Sequence, residues 1–295
     1  MRIGELSALA AAFCRTVNGL FLESAGKKMG SGTVNFIRLL FAMAFLSIYM
    51  LISKGNIIPM QASPKSWIFL SMSGIIGFFV GDYFLIKSMI MIGPRLSMLL
   101  MALGPPITAI FDYLLFKSVL TKMNLLGIFI TLIGVVVVIS GRDKGDDFNN
   151  KADAKGFIYG LLAAIGQASG LMLSKIGLED NDPFAATQIR IISSLALFLI
   201  IMALNKDFID IKSGLENKGE LWKLAAAGLI GSFIGVGLSL IALRYTEAAI
   251  ASTLTSIVPV MVIPFTIILY KEKINLIEII GTISSVAGIA ILFIL

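Results

Sequence analysis

The sequence predicts an all-α integral membrane protein, with ten transmembrane helices arranged as two inverted five-helix repeats. Three observations carry that reading. Hydrophobic residues make up 57% of the 295 and charged residues 14%, against roughly 45–50% and roughly 25% in soluble domains, and the mean hydropathy is +0.94. Apolar windows of about 20 residues, long enough to cross the hydrocarbon core as helices, recur along most of the chain. The second half of the chain also reads like the first.

The first five windows cover roughly 4–23, 33–53, 66–86, 96–116 and 123–141, and the second five roughly 155–174, 184–204, 221–243, 248–270 and 276–294. The first is interrupted by Arg15 and Asn18 and is followed by no small-residue cleavage site, so it reads as a retained span rather than a signal peptide. The second contains Arg38, and the third holds the glycine run GIIGFFVG (74–81) and Asp82. The fourth contains GPPITAIFDYLL (104–115), in which Pro105, Pro106 and Asp112 stand in an otherwise apolar run. The longest joins, RDKGDDFNNKADAK and NKDFIDIKSGLENKGELWK, are too short for a soluble domain. The expected organisation is therefore a first repeat over 1–141, a connecting loop over 142–154 and a second repeat over 155–295.

Self-alignment shows the repeat directly. An offset of 152 places Gly4 on Gly156 and Arg38 on Arg190. An offset of 154 places Gly77, Gly81, Pro105, Lys117, Gly127 and Gly134 on Gly231, Gly235, Pro259, Lys271, Gly281 and Gly288. Five spans per half is an odd number, so the second half enters the membrane from the opposite side. Inverted repeats of this kind build alternating-access transporters with a site at the repeat interface.

The stretch IALRYTEAAIASTLTSIVPVMVIPFTIILYKEKINLIEIIGTISSVAGIAIL, with its earlier copy around LGPPITAIFDYLLFKSVL, resembles the EamA-type members of the drug/metabolite transporter superfamily. The resemblance covers nearly the whole chain. Its most specific pieces are Pro259, Glu272 in the turn before the last span, and Gly281 and Gly288 within that span. Two departures stand out: Ser118 occupies the first-half position of Glu272, and Arg15 stands where such proteins often show an aromatic-glycine pair. The resemblance implies a secondary transporter of small metabolites, often an exporter of amino acids or related amphiphiles, in the plasma membrane of a prokaryote. It also implies a cavity lined by spans one, three, four, six, eight and nine.

Several function classes are excluded. A single cysteine, Cys14, and the lack of histidine leave no multi-cysteine cluster and remove the commonest metal ligand, so no metal or other cofactor is expected. The net charge of +6 is spread over the loops without interleaved aromatics, which does not suit nucleic acid. Lys27 and Lys28 after Gly26 lack the earlier glycine and the hydroxyl of a phosphate-binding loop, so the chain carries no ATPase of its own. The expected partners are the lipid bilayer, a small-molecule substrate and, if transport is coupled, a proton or sodium ion. The oligomeric state is left open.

Charges inside spans are the candidates for a site, because each costs on the order of 2.5–3.5 kcal/mol near a helix centre and so faces a cavity or a partner. Arg15, Asn18, Asp82 and Asp112, with Gln167 as the repeat partner of Arg15, suggest a polar centre able to hold a substrate's amine and carboxylate. Pro105, Thr108 and Asp112 share one face of the fourth span, and Ser252, Ser256 and Pro259 form the matching stripe in the ninth, with Pro264 a second breaker. Packing kinks and a structural arginine–aspartate pair are the bland alternatives. Arg38 and Arg190 are weaker candidates, since snorkelling to the interface explains them equally well. Proton or sodium coupling would run through Asp82, Asp112 or Glu247. The glycine runs at 74–81 and 228–235 read as close helix contacts.

Two rival readings remain. An intramembrane aspartyl protease would pair Asp82 with Asp112, but its signature needs glycine where Phe79 stands, and it gives the repeat no role. A channel or a scaffold is the other. Orientation is open as well: loop charge favours external termini, and the resemblance favours internal ones.

Overall fold

A computed structural model describes residues 3–116, 121–141, 150–178, 181–204, 210, 214, 216–245, 254–271 and 275–294, and among them the regular structure is helical throughout. Ser252, Glu247 and Glu272 lie outside the described residues, as does the side chain of Asp112. Lipid offers no water to backbone amides and carbonyls, so a chain this apolar satisfies them within helices. In order these are α1 (Ile3–Met29), α2 (Ser31–Lys54), α3 (Pro64–Ser73), α4 (Asp82–Met101), α5 (Gly104–Phe116), α6 (Lys122–Gly141), α7 (Asn150–Leu178), α8 (Pro183–Leu204), α9 (Lys218–Ala227), α10 (Val236–Tyr245), α11 (Val258–Tyr270) and α12 (Leu276–Ile294).

Two eight-residue π-helical segments, Gly74–Gly81 and Gly228–Gly235, join α3 to α4 and α9 to α10. They lie 154 residues apart, as do the thirteen-residue helices α5 and α11. Among the described residues, six helical runs are long and apolar enough to cross a membrane: Ser31–Lys54, Pro64–Met101, Lys122–Ser140, Asp153–Leu178, Pro183–Leu204 and Lys218–Ala242. Val258–Tyr270 and Leu276–Ile291 are shorter apolar helices. Large apolar side chains such as Phe129, Val136, Ile268 and Ile283 are exposed on the outside, the surface that lipid would cover.

The helix breaks differ from the sequence expectation. The third window does not stop near residue 86. Helix continues to Gly93, whose φ of 81° and ψ of 164° interrupt α4 just before Pro94. A second break falls at residues 102–103. Pro105 and Pro106 therefore do not interrupt a helix but open α5, where the amide they lack has no helical partner in any case and their fixed φ suits the first turn. Pro259 does the same at the start of α11, and only Pro264 lies inside that helix.

Glycine explains why the two halves pack so closely. A Cβ on Gly228 would lie 2.8 Å from the carbonyl oxygen of Arg38 in α2, and one on Gly74 would overlap the carbonyl of Arg190 in α8. Gly77 and Gly81 face Gly170 and Gly166 of α7. Each π-helical segment is thus clasped by helices from the other half of the sequence, which bears out the close-contact reading of the two glycine runs. A separate crossing joins α6 to α12, where a Cβ on Gly288 would stand 2.5 Å from the amide nitrogen of Thr131 and one on Gly281 would stand 2.8 Å from the carbonyl oxygen of Gly134. A buried aromatic group, Phe36, Phe79 and Phe198, fills the space between α2, the first π-helical segment and α8.

Candidate functional site

Helical periodicity brings the polar residues to one place. On α1, Arg15, Asn18, Gly19 and Leu22 follow i, i+3, i+4, i+7 spacing, and on α4 Asp82, Leu85 and Met89 follow i, i+3, i+7, so each set shares a face. Both faces line a cavity of about 240 Å³. Gly104, Pro105 and Thr108 of α5 line it too, with Gln167 and Leu171 of α7, Ser232 of the second π-helical segment, Val236 and Ser239 of α10, and Ser256 and Pro259. Arg38 from α2 and Arg190 from α8 line it as well. Elements before residue 141 and elements after residue 150 contribute about equally.

Asp82 is the described carboxylate of this cavity, and both its oxygens are held. Arg38 donates from Nη2 to Oδ2 at 2.5 Å, and Gln167 donates from Nε2 to Oδ1. Arg38 also donates to Oδ1 of Asn35 at 2.6 Å, and Asn35 donates in turn to the carbonyl of Phe78 at 2.7 Å. Gln167 donates to the carbonyl of Gly77 at 3.3 Å. A π-helical turn is wider than an α-turn and commonly marks a functional stretch; here its carbonyls anchor the side chains that grip Asp82. At 3% and 6% exposure, Arg38 and Asp82 form a buried ion pair.

Among the described residues the other two arginines have no such partner. Arg190 is 5% exposed, and its guanidinium lies 4.2 Å from the centroid of the Phe78 ring. Its Nε has no hydrogen-bond partner. Arg15 makes one long contact, 3.4 Å from Nη2 to Oγ of Ser239. Its side chain is exposed, but as a cavity-lining residue it is exposed to that cavity. Asn18 Oδ1 and Ser232 Oγ are buried without partners among the described residues. Three guanidinium groups therefore face one carboxylate among the described residues of the cavity. Its remaining wall is soft and apolar, formed by Met89, Met98, Met101 and Leu171.

Of the residues singled out from sequence, Arg15, Asn18, Asp82, Thr108, Gln167, Ser256, Pro105 and Pro259 line the cavity. Pro106 is buried outside it, and Pro264 is exposed on the other side of α11. Thr108 donates to the carbonyl of Gly104 at 3.0 Å. The snorkelling alternative for Arg38 and Arg190 fails, because both are buried at the cavity. Arg15 is not neutralised by an ion pair with Asp82, which belongs to Arg38. Phe78, Ser239 and the methionine wall were not foreseen. Position by position, the repeat offers the signal for the first two, since Phe78 maps onto Ser232 and Ser239 onto Leu85.

The arrangement suits reversible binding better than catalysis. A protease dyad needs two carboxylates sharing a proton, whereas Asp82 is committed on both oxygens to Arg38 and Gln167. What the cavity offers is charge, hydrogen-bond donors and an apolar wall at the meeting point of two related halves.

Comparison with known proteins gives the same picture. The model of the EamA-like transporter family matches residues 2–140 and again 154–294. An uncharacterized transporter of Archaeoglobus fulgidus is 23% identical over 271 residues, covering 92% of this chain and 90% of that protein. An uncharacterized transporter of Clostridium kluyveri is 33% identical over 143 residues, 47% of this chain and 44% of that protein. A solved crystal structure covers 98% of this chain with a TM-score of 0.70 at 17% identity, a likeness of fold.

Proposed function

We propose, on the premise that this chain belongs to the EamA-like transporter family, that it is a secondary carrier of small polar metabolites working by alternating access around the cavity described above. That it is an integral, multi-pass membrane transporter follows from the family and its apolar helices. The carrier reading adds ten crossings in two inverted halves, 1–141 and 155–295, with the site between them. Bacterial and archaeal relatives support a prokaryotic plasma membrane.

The observation that carries the proposal is the cavity's construction. It is a polar hollow among apolar helices, lined by equivalent residues of both halves: Arg38 and Arg190, Pro105 and Pro259, Arg15 and Gln167. An inverted repeat that rocks about such a site exposes it to each side in turn. The substrate-contacting residues proposed are Arg15, Asn18, Gln167, Arg190 and Ser256, with Asp82 holding Arg38 in place. Amino acids and related compounds fit a cavity with both polar donors and an apolar wall. Export is the proposed direction.

Counterflow in proteoliposomes tests the carrier. Labelled amino acids, amines and small organic acids are offered outside vesicles preloaded with the same compound unlabelled. Saturable, transient accumulation above equilibrium is the expected result, and a flux that never saturates or overshoots would point to a channel. Comparing efflux with uptake in right-side-out vesicles tests the direction.

A further inference from the structure

The repeat allows each cavity residue to be compared with its counterpart, and the comparison is unequal at one point. In one half of the site, Arg38 and Gln167 converge on the carboxylate of Asp82. Their repeat partners are Arg190 and Arg15, and these should converge on the partner of Asp82, which is residue 236. Residue 236 is valine. The second half therefore keeps the arginine, replaces the glutamine by another arginine and lacks the acid between them. Arg190 is buried with Nε unpartnered, and both Arg15 and Asp82 lie within electrostatic reach of it. Val236 itself lines the cavity, so open space adjoins the place where the carboxylate is missing.

We propose that Arg15 and Arg190 form an anion site beside Val236, in which a carboxylate or phosphate group of the transported substrate takes the place that Asp82 fills in the other half. Guanidinium forks match carboxylate and phosphate oxygens in pairs. Ser232 Oγ, buried and unpartnered, is a further donor on the same wall. Met89, Met98 and Met101, which line the same cavity, suit an apolar tail. The inference deepens the carrier reading and rests on it for the word "substrate"; the anion site itself does not depend on transport.

The test is thermal unfolding of the full chain in detergent, with acetate, succinate, methyl phosphate or ethylamine added against chloride at matched ionic strength. The organic anions are expected to raise the unfolding temperature saturably, and ethylamine is not. Succinate and acetate against methyl phosphate tells a carboxylate site from a phosphate site. Arg190→Gln is expected to weaken the effect roughly ten- to a hundredfold, the scale of a lost charge-assisted hydrogen bond. Val236→Asp, which adds the missing acid instead of removing a base, is expected to abolish it while leaving the unliganded protein no less stable. If Arg190→Gln does not fold, Val236→Asp carries the test alone. Absence of any saturable anion effect, or an effect undiminished in Val236→Asp, overturns the inference. Counterflow separates it from the carrier reading. Transport of amines or neutral solutes without anion stabilisation sinks the anion site and leaves the carrier. Anion stabilisation that Val236→Asp removes, with no counterflow of any compound, upholds the site and sinks the carrier.

Discussion

Asp82→Asn is the perturbation that most directly probes how the cavity is held together. The wild-type carboxylate accepts from Arg38 at 2.5 Å and from Gln167 on its other oxygen, and it does so at 6% exposure. The amide keeps the shape and one acceptor oxygen. It loses the charge, and it turns an NH2 group toward a donor, either Gln167 or Arg38. Breaking one member of a buried pair generally costs about 3–5 kcal/mol, chiefly because the other charge is left without compensation. Arg38→Gln should cost a similar amount for the converse reason. In the double variant both charges are gone, so the combined loss should fall short of the sum by roughly 1–3 kcal/mol, the scale of direct coupling between contacting residues. Denaturant-induced unfolding of all four proteins in one detergent measures the cycle. Single losses that add in the double variant to within about 0.5 kcal/mol would refute the idea that this pair acts as a unit. The same cycle bears on ligand binding: Asp82→Asn leaves Arg15 and Arg190 in place, so any anion stabilisation should persist in whatever fraction of the variant folds.

At the α6–α12 crossing, Gly288→Val puts a branched side chain where a Cβ already stands 2.5 Å from the Thr131 amide nitrogen, so it should destabilise by about 1–3 kcal/mol while leaving substrate selectivity in counterflow unchanged. Gly104→Ala is its contrast: a Cβ there meets nothing within 4 Å among the described residues, and unfolding should shift by no more than about 0.5 kcal/mol. Gly93→Ala places a side chain at φ 81° and ψ 164°, a region costing about 1–3 kcal/mol for residues other than glycine, which should appear as a lower unfolding temperature. Phe78→Leu removes the ring under the Arg190 guanidinium and should cost about 0.5–2 kcal/mol; a double variant with Arg190→Gln that loses the full sum would show that the ring and the cation do not interact.

Much of this architecture was legible because lipid imposes simple rules. Apolar runs of the right length had to be helices, and their polar interruptions had to face inward, so the sequence alone gathers Arg15, Asn18, Asp82, Asp112 and Gln167 into one centre; all but Asp112, whose side chain lies outside the described residues, line the cavity. The repeat supplied the pairing of Arg38 with Arg190. Local backbone chemistry was harder to read. A proline in an apolar run looks like a breaker, yet at Pro105 and Pro259 it begins a helix, and the break belongs to the glycine and the short turn upstream, at Gly93 and residues 102–103. The burial of Arg38 and Arg190 was ambiguous for a related reason. Position along a span does not say whether a long side chain climbs to the interface or turns inward, and here the direction is fixed by Asp82 for one and by the Phe78 ring for the other. Phe78, in the π-helical segment, lines the cavity, and nothing in its apolar sequence context distinguishes it from a lipid-facing aromatic.

The inequality of the two halves bears on mechanism. Two identical halves would each set an arginine and a glutamine around an aspartate, and the cavity would be filled by its own counter-ions. In this chain Val236 stands for the second aspartate and Arg15 for the second glutamine, and both differences push the potential of that wall in the same direction. Arg190 is buried with Asp82, already paired with Arg38, as the only acid within electrostatic reach among the described residues, and a buried guanidinium without an acid of its own is costly, a cost that a purely structural site would shed by giving the arginine up. A carrier has the opposite requirement. Its cavity must be incomplete when empty, so that a solute completes it, and yet not so incomplete that the solute cannot leave. On the proposed carrier reading, the pair of Arg38 with Asp82 holds the helices in register, while Arg15 and Arg190, which have no carboxylate of their own among the described residues, leave room for a partner that comes and goes.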